Sequence, residues 1–324
     1  MRFLFLNNKD NDSVKQIFDI YSKNYVNCRI FSNCSDLVLS LPTISSNKIE
    51  YVSVVVYFRD NLYEAREIYD QHPYVLFIEI QKDVLHSDLE FAEIAITLTS
   101  ENSAFVVNCA KECLSEGSVS FEDSFYLVDK YLNELLSANA LVNKDFHLTM
   151  QDYSFKNKLP SETELILGTK HPGAFAFKRK NHIHEGIDVY AGYQEAVYNL
   201  FDGVVIAIRP FTGEHTQLIG ILPSPWWNDT FCVLVKTKFG VINYGELTPD
   251  QSLSVGKQIK AGDNIGHVSR VLKKDKGRPL DMVHLERYTK DAIIPVVEWS
   301  IGAAKPRDLL PPGNLLLGLC LKKE

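Results

Sequence analysis

The chain has 324 residues, enough for two domains of ordinary size, and its 45% hydrophobic and 23% charged residues exclude a disordered chain. A net charge of −7 excludes the electrostatic footprint expected for nucleic acid or an anionic membrane surface. The amino terminus, "MRFLFLNNKDNDSVKQ", turns polar too soon for a signal-peptide core, and no apolar run is long enough to span a bilayer. A cytoplasmic protein is therefore expected. The six cysteines (Cys28, Cys34, Cys109, Cys113, Cys232, Cys320) form no CxxC pair and read as reduced, mostly buried thiols. Cys109 and Cys113 lie four apart, the spacing of one helix face.

The first hundred residues alternate. "MRFLFLN", "YVSVVVYF" and "YVLFIEI" are apolar and rich in β-branched and aromatic residues, and each reads as a buried strand. Between them "DSVKQIFDIYSKNY" and "NLYEAREIYDQH" space their apolar residues as helices do, each with an Asp or Asn near its start as a cap. Alternating strands and helices predict a parallel, helix-covered sheet, so residues 1–115 are expected to form an α/β domain. The order resembles that of bacterial receiver and flavodoxin-like domains. A receiver needs clustered acids after its first strand and an acceptor Asp after its third. Here the first strand runs into Asn7 and Asn8, and Asp60 alone stands in a suggestive place. Phosphate acceptance is not expected; a sensing or docking role is.

Residues 116–145 read as a helical connector. In "FEDSFYLVDKYLNELLSANALV" the residues Phe125, Leu127, Val128, Tyr131, Leu132, Leu135 and Leu136 form a helical stripe, suited to packing or to a homodimer contact. Beyond it Gly and Pro become frequent and short β-branched runs recur, as in "TFCVLVKTKFGVINYGEL" and "DMVHLERY". Residues 146–324 are expected to be an all-β domain, with the boundary near 145 to 160. The whole is an α+β two-domain chain.

Within that domain "NHIHEGIDVY" gathers His182, His184, Glu185 and Asp188. A polar loop leading into a strand would explain it, and so would a metal. On a straight strand His184 and Asp188 would stand roughly 13 Å apart, too far to share an ion. Gly186 permits a bend that brings them together. His284 in "DMVHLERY" offers a third ligand, with Met282 and Glu286 on its face by alternation. Two imidazoles and one carboxylate make a zinc set with one position left for water.

Five blocks in order, "HEGID" (184–188), "FDGVV" (201–205), "YGEL" (244–247), "LSVGKQIKAGDNIG" (253–266) and "MVHLE" (282–286), resemble lysostaphin-type zinc metallopeptidases, which cleave peptidoglycan peptides. The resemblance runs over residues 165–290 and implies a β fold, a Zn²⁺ held by His184, Asp188 and His284, and a peptide or amide substrate. The family places two further histidines beside the metal, where this chain has Glu246 and Met282. A glutamate can take a proton from activated water, so Glu246 is the expected general base. An ionised glutamate and a thioether cannot donate a hydrogen bond to an oxyanion, and losing one such donor costs around 10²–10³ in rate. Glu246 could instead be a fourth zinc ligand, leaving a catalytically degenerate module that binds peptide or protein.

The remaining candidates stand around this set. Tyr244, two before Glu246, is expected to share its face, as packing or as a hydrogen-bond donor. Glu286 either orients His284 or is a solvated carboxylate. Trp226 and Trp227, in the insertion "TQLIGILPSPWWNDTF", either cover the β core or line a substrate groove. His182 lies outside the family motif and is carried as a substrate-side candidate.

Overall fold

The computed structural model describes residues 2–24, 27–41, 53–72, 75–82, 94–98, 105–109, 112–113, 127–128, 130–134, 172–180, 182–223, 225–274, 281–289, 292, 299–313 and 315–316. The chain divides into two compact units, Met1–Ser137 with Cys320–Glu324, and Ala138–Leu319. No helix among the described residues is long and apolar enough to cross a membrane.

The first unit is built on a mixed sheet. β1 (Arg2–Leu6), β2 (Cys28–Phe31), β3 (Ser53–Phe58), β4 (Leu76–Lys82) and β5 (Ile94–Leu98) are parallel, in the order β2-β1-β3-β4-β5. β1 and β3 are buried along their whole length, which is why their sequences are continuously apolar and do not alternate. Helix α1 (Asp12–Asn24) turns Val14, Ile17 and Tyr21 inward, and Tyr21 meets Phe3 edge-on at 4.7 Å. Helix α2 (Cys34–Ser40) is capped by Asn33, whose side chain accepts from the Asp36 amide at 2.8 Å. Helix α3 (Leu62–Gln71) follows Asn61, which makes no side-chain capping bond, contrary to the sequence expectation.

β2 and α2 escape the sequence reading because β2 has no buried residue and exposes Arg29 and Ile30. β6 (Phe105–Cys109) then extends the sheet antiparallel to β5, and β7 (Glu112–Cys113) pairs antiparallel with β6. Cys109 and Cys113 therefore sit on adjacent antiparallel strands, and the helix-face spacing does not apply. Asp60 is exposed in a tight turn after β3, and its backbone carbonyl accepts from Lys9 Nζ at 2.6 Å. Asn7 serves the turn after β1, accepting from the Asn11 amide at 2.6 Å, and Asn8 donates to Glu64 at 2.8 Å. Of the connector stripe, Val128, Tyr131 and Leu132 are helical and buried. Phe125, Leu135, Leu136 and the expected boundary lie outside the described residues.

The second unit is antiparallel β. Its main sheet runs β10 (Ala196–Tyr198), β15 (Asn264–Val268), β13 (Gly240–Pro249), β12 (Thr230–Thr237), β11 (Gly203–Thr212) and β14 (Gln258–Ile259). Off this path, β16 (Met282–Tyr288) pairs with β13, with β9 (Ile187–Tyr190) and with β18 (Leu309–Leu310). β8 (His182–Ile183) and β17 (Trp299–Ser300) form a separate ribbon. The core lies along β12, β13 and β16, where Val233, Leu234, Val241, Ile242, Val283 and Leu285 are fully buried. One irregularity positions the site. Between β12 and β13, Val233 faces Tyr244 and Phe231 faces Leu247, so three steps on β13 match two on β12. This is a β-bulge, and Glu246 stands in it at φ +62, a left-handed conformation usually reserved for glycine.

Candidate metal centre and its cleft

The pairing of β9 with β16 sets Asp188 opposite His284, and the pairing of β16 with β13 sets Gly245 opposite His284. His184 precedes β9, held by a bond from its amide to the Phe177 carbonyl and another from the Ala176 amide to its own carbonyl, both 2.9 Å. The chain leaves strand geometry at residues 184–186, and this removes the separation a straight strand would impose. Gly186 is needed for room and not for a left-handed backbone. A Cβ there would lie 2.6 Å from the Leu285 carbonyl oxygen and 2.7 Å from His284 Nε2.

Three atoms converge. His184 Nε2 is 3.1 Å from His284 Nδ1 and 3.1 Å from Asp188 Oδ1, and His284 Nδ1 is 2.9 Å from Asp188 Oδ1. The opposite nitrogen of each ring is occupied. His184 Nδ1 donates to the Ala174 carbonyl at 2.9 Å, and His284 Nε2 donates to Glu286 Oε1 at 3.0 Å. Each ring so held turns its other nitrogen toward Asp188, and a metal arriving there would displace the proton that His284 Nδ1 otherwise shares with Asp188. Two imidazole lone pairs and a carboxylate oxygen in mutual contact repel unless a cation or proton sits among them. Tetrahedral zinc with bonds of about 2.0–2.1 Å separates its ligand atoms by roughly 3.3 Å, close to this triangle. The residues fit the ion.

The neighbours fix the three candidate ligands. Arg179 Nη2 donates to Asp188 Oδ2 at 2.6 Å, leaving Oδ1 for the centre. Glu286 is buried and accepts from Asn243 Nδ2 at 2.6 Å and Tyr288 Oη at 2.9 Å as well as from His284. It is a buried partner of His284, not a solvated strand end. Burial by itself would raise Glu286, but the His284 bond brings it below its ordinary value. Burial would likewise raise Asp188, yet the facing His184 and His284 hold it well below the usual carboxylate range. Burial lowers His184, while hydrogen bonds to Asp188 and Glu286 overcome burial at His284 and push it up to about 10.

Glu246 lies on the wall of a cleft of about 390 Å³ that His184 and His284 also line. The set of ligand atoms within 4.8 Å of one another consists of His184, Asp188 and His284, without Glu246. Glu246 is buried, and its Oε2 has no hydrogen-bond partner among the described residues. Burial first, then the Asp188 charge, raises its carboxyl to about 8.

The other candidates separate. Tyr244 does not share the face of Glu246, because the bulge inserts a residue and breaks the alternation. Its hydroxyl is fully buried away from the cleft, donating to Asn199 Oδ1 at 3.0 Å and accepting from the Leu200 amide at 2.9 Å. Asn243, three before Glu246, lines the cleft in its place. Met282 pairs with Tyr190 at the start of β16 and is not among the cleft walls. His182 and Trp227 are walls; Trp226, 64% exposed, is not. Glu185 is also a wall, and its Oε1 accepts from the Trp299 amide at 2.7 Å.

Sequence reasoning missed Arg179, Asn243, Tyr288 and Phe211. Phe211 packs on the His284 ring at 5.4 Å and fills the space that a Cβ at Gly245 would need. Only Tyr288 carried a signal, as a polar residue in alternation with His284 and Glu286 on a strand already suspected.

The sequence matches no protein-family model and no curated protein. Solved structures that it resembles include cbpa from L. salivarius REN, at 22% identity over 41% of this chain and 72% of that one, with a TM-score of 0.28. A zinc containing peptidase from Vibrio cholerae matches at 15% identity, over 65% of this chain and 47% of that one, with a TM-score of 0.29. The catalytic domain of the antimicrobial peptidase lysostaphin from Staphylococcus simulans matches at 14% identity, over 36% of this chain and 75% of that one, with a TM-score of 0.26. At this level the likeness decides nothing about activity, and the side chains have to.

Proposed function

We propose that the second unit is a zinc-dependent hydrolase of peptide or amide bonds, of the lysostaphin type, with Glu246 as its proton-transferring residue. The observation that carries this reading is the triangle of His184 Nε2, Asp188 Oδ1 and His284 Nδ1, with edges of 2.9 to 3.1 Å, whose histidines line a cleft that Glu246 also lines. Bound there, zinc would acidify water and polarise a substrate carbonyl.

This chain's residues do the rest. Arg179 and Glu286 hold the ligands in register, so no rotamer search accompanies binding. Glu246 lies outside the ligand set, which supports a base and not a fourth ligand. Its carboxyl near 8 is close to neutral pH, where one group can accept a proton and return it. A cation beside it lowers that value and favours the carboxylate that a base requires. Returned to the acid form, Glu246 also offers the O–H donor that an ionised glutamate lacks. Its left-handed backbone and unpartnered oxygen are of the kind maintained at functional sites. His182 and Trp227 are assigned to substrate contact, as walls of the same cleft.

For the first unit, the parallel order β2-β1-β3-β4-β5 supports a flavodoxin-like sheet, and a sensing or docking role is proposed for it. The purified full chain should carry about one zinc, lost in His284→Ala. Metal analysis with thermal melts checks this. A wild type that is metal-free and unmoved by added zinc contradicts the reading.

A further inference from the structure

The cleft has two unlike sides, and the apolar one begins at the metal triad. Phe211 lies against the His284 ring, and Ile219, Ile221, Leu222 and Trp227 line the same cleft. Leu222 is 94% exposed, Trp227 38% and Ile219 37%, so large apolar side chains face solvent beside the reacting centre. A solvent-facing apolar patch of this kind marks a binding surface more often than it marks packing.

The segment that carries the wall is pinned at both ends. Thr216 Oγ1 donates to the Gly213 carbonyl at 2.8 Å, and the His215 amide donates to Asp229 Oδ1 at 2.9 Å. The Asn228 amide reaches the Val271 carbonyl at 2.8 Å, the Lys273 amide reaches the Trp226 carbonyl at 3.0 Å, and Lys273 pairs with Glu214 at 3.0 Å. Gly213 takes φ +86 where a Cβ would fall 2.4 Å from Asp229. The apolar side chains are therefore presented on a segment anchored at both ends, which reduces the ordering cost of binding.

We propose that this wall selects a peptide with a large apolar side chain, branched or aromatic, next to the bond at the triad, and selects against glycine there. The occupant follows from position and chemistry. Phe211 touches the His284 ring and lines one cleft with the other apolar residues, so the side chain they would meet is that of a residue adjoining the reacting amide. Glycine offers no side chain to bury against it, whereas a leucine or phenylalanine side chain recovers enough burial to change affinity by roughly 10–100-fold. This inference rests on reading the cleft as a peptide site, but it concerns recognition and is separable from turnover.

The test uses the full-length protein and blocked tetrapeptides Ac-Ala-X-Ala-Ala-NH₂, with X as Gly, Asp, Leu or Phe. Binding is followed by calorimetry and hydrolysis by chromatography on the same samples. The Leu and Phe peptides should bind about 10–100-fold tighter than Gly or Asp. Leu222→Ser and Ile219→Ser, both at exposed positions, should each reduce that preference several-fold without moving the melting temperature. Equal binding of Gly and Leu peptides, or a preference untouched by both substitutions, overturns the inference even if the peptides are cleaved. Tight, wall-dependent binding of Leu and Phe peptides with no cleavage upholds it while removing the hydrolase reading.

Discussion

His284 is fitted to ligate a metal by what it touches on its far side. Its Nε2 is committed to Glu286, and Glu286 is itself fixed by Asn243 and Tyr288. Glu286→Gln keeps the shape but turns an amide N–H toward groups that already donate. Zinc affinity should fall about 10–100-fold, the usual penalty for losing a carboxylate behind a ligating histidine. Chelator competition at fixed pH measures this, and an unchanged affinity would show that the network is only packing. His184 depends on a backbone carbonyl instead, that of Ala174, which no side-chain substitution removes. The two histidines therefore differ in how mutation can reach them.

At the scale of elements the bulge in β13 decides more than any motif. It takes Tyr244 out of the cleft and puts Glu246 in, at the cost of a left-handed glutamate with an unpartnered buried oxygen. Glu246→Gly should remove both burdens, so the metal-free protein should gain about 1 kcal/mol in urea unfolding, while the zinc-loaded variant should lose turnover by roughly 10²–10⁴. A less stable Gly variant would mean that the carboxylate stabilises the bulge. The bulge also marks the limit of sequence reasoning. β1, β3, β4 and both flanking helices were legible because buried parallel strands and amphipathic helices announce themselves through apolar pattern. His184, Asp188 and His284 were legible as a set because Gly186 allows the bend between the first two and the ordered blocks bring in the third. Tyr244 was misplaced because strict alternation was assumed across a bulge that no residue type signals; the usual glycine sits one position early, at Gly245. Arg179 was invisible because its link to Asp188 is made by the fold of residues 172–188, not by periodicity.

For the molecule as a whole, the two units recognised by their internal packing should be separable in solution. A fragment of residues 146–324 should unfold cooperatively and bind zinc as the full chain does; aggregation of the fragment beside a well-behaved full chain would mean that the two share a core. The central claim, that the triad holds zinc and Glu246 moves the proton, is tested most directly by comparing full-length wild type with Glu246→Gln. Zinc content and peptide hydrolysis are measured on the same samples. The account predicts about one zinc per chain in both proteins and a fall in turnover of roughly 10²–10⁴ in the variant. Loss of metal from the Gln variant, together with no hydrolysis by the wild type, would contradict it and make Glu246 a ligand in a binding module.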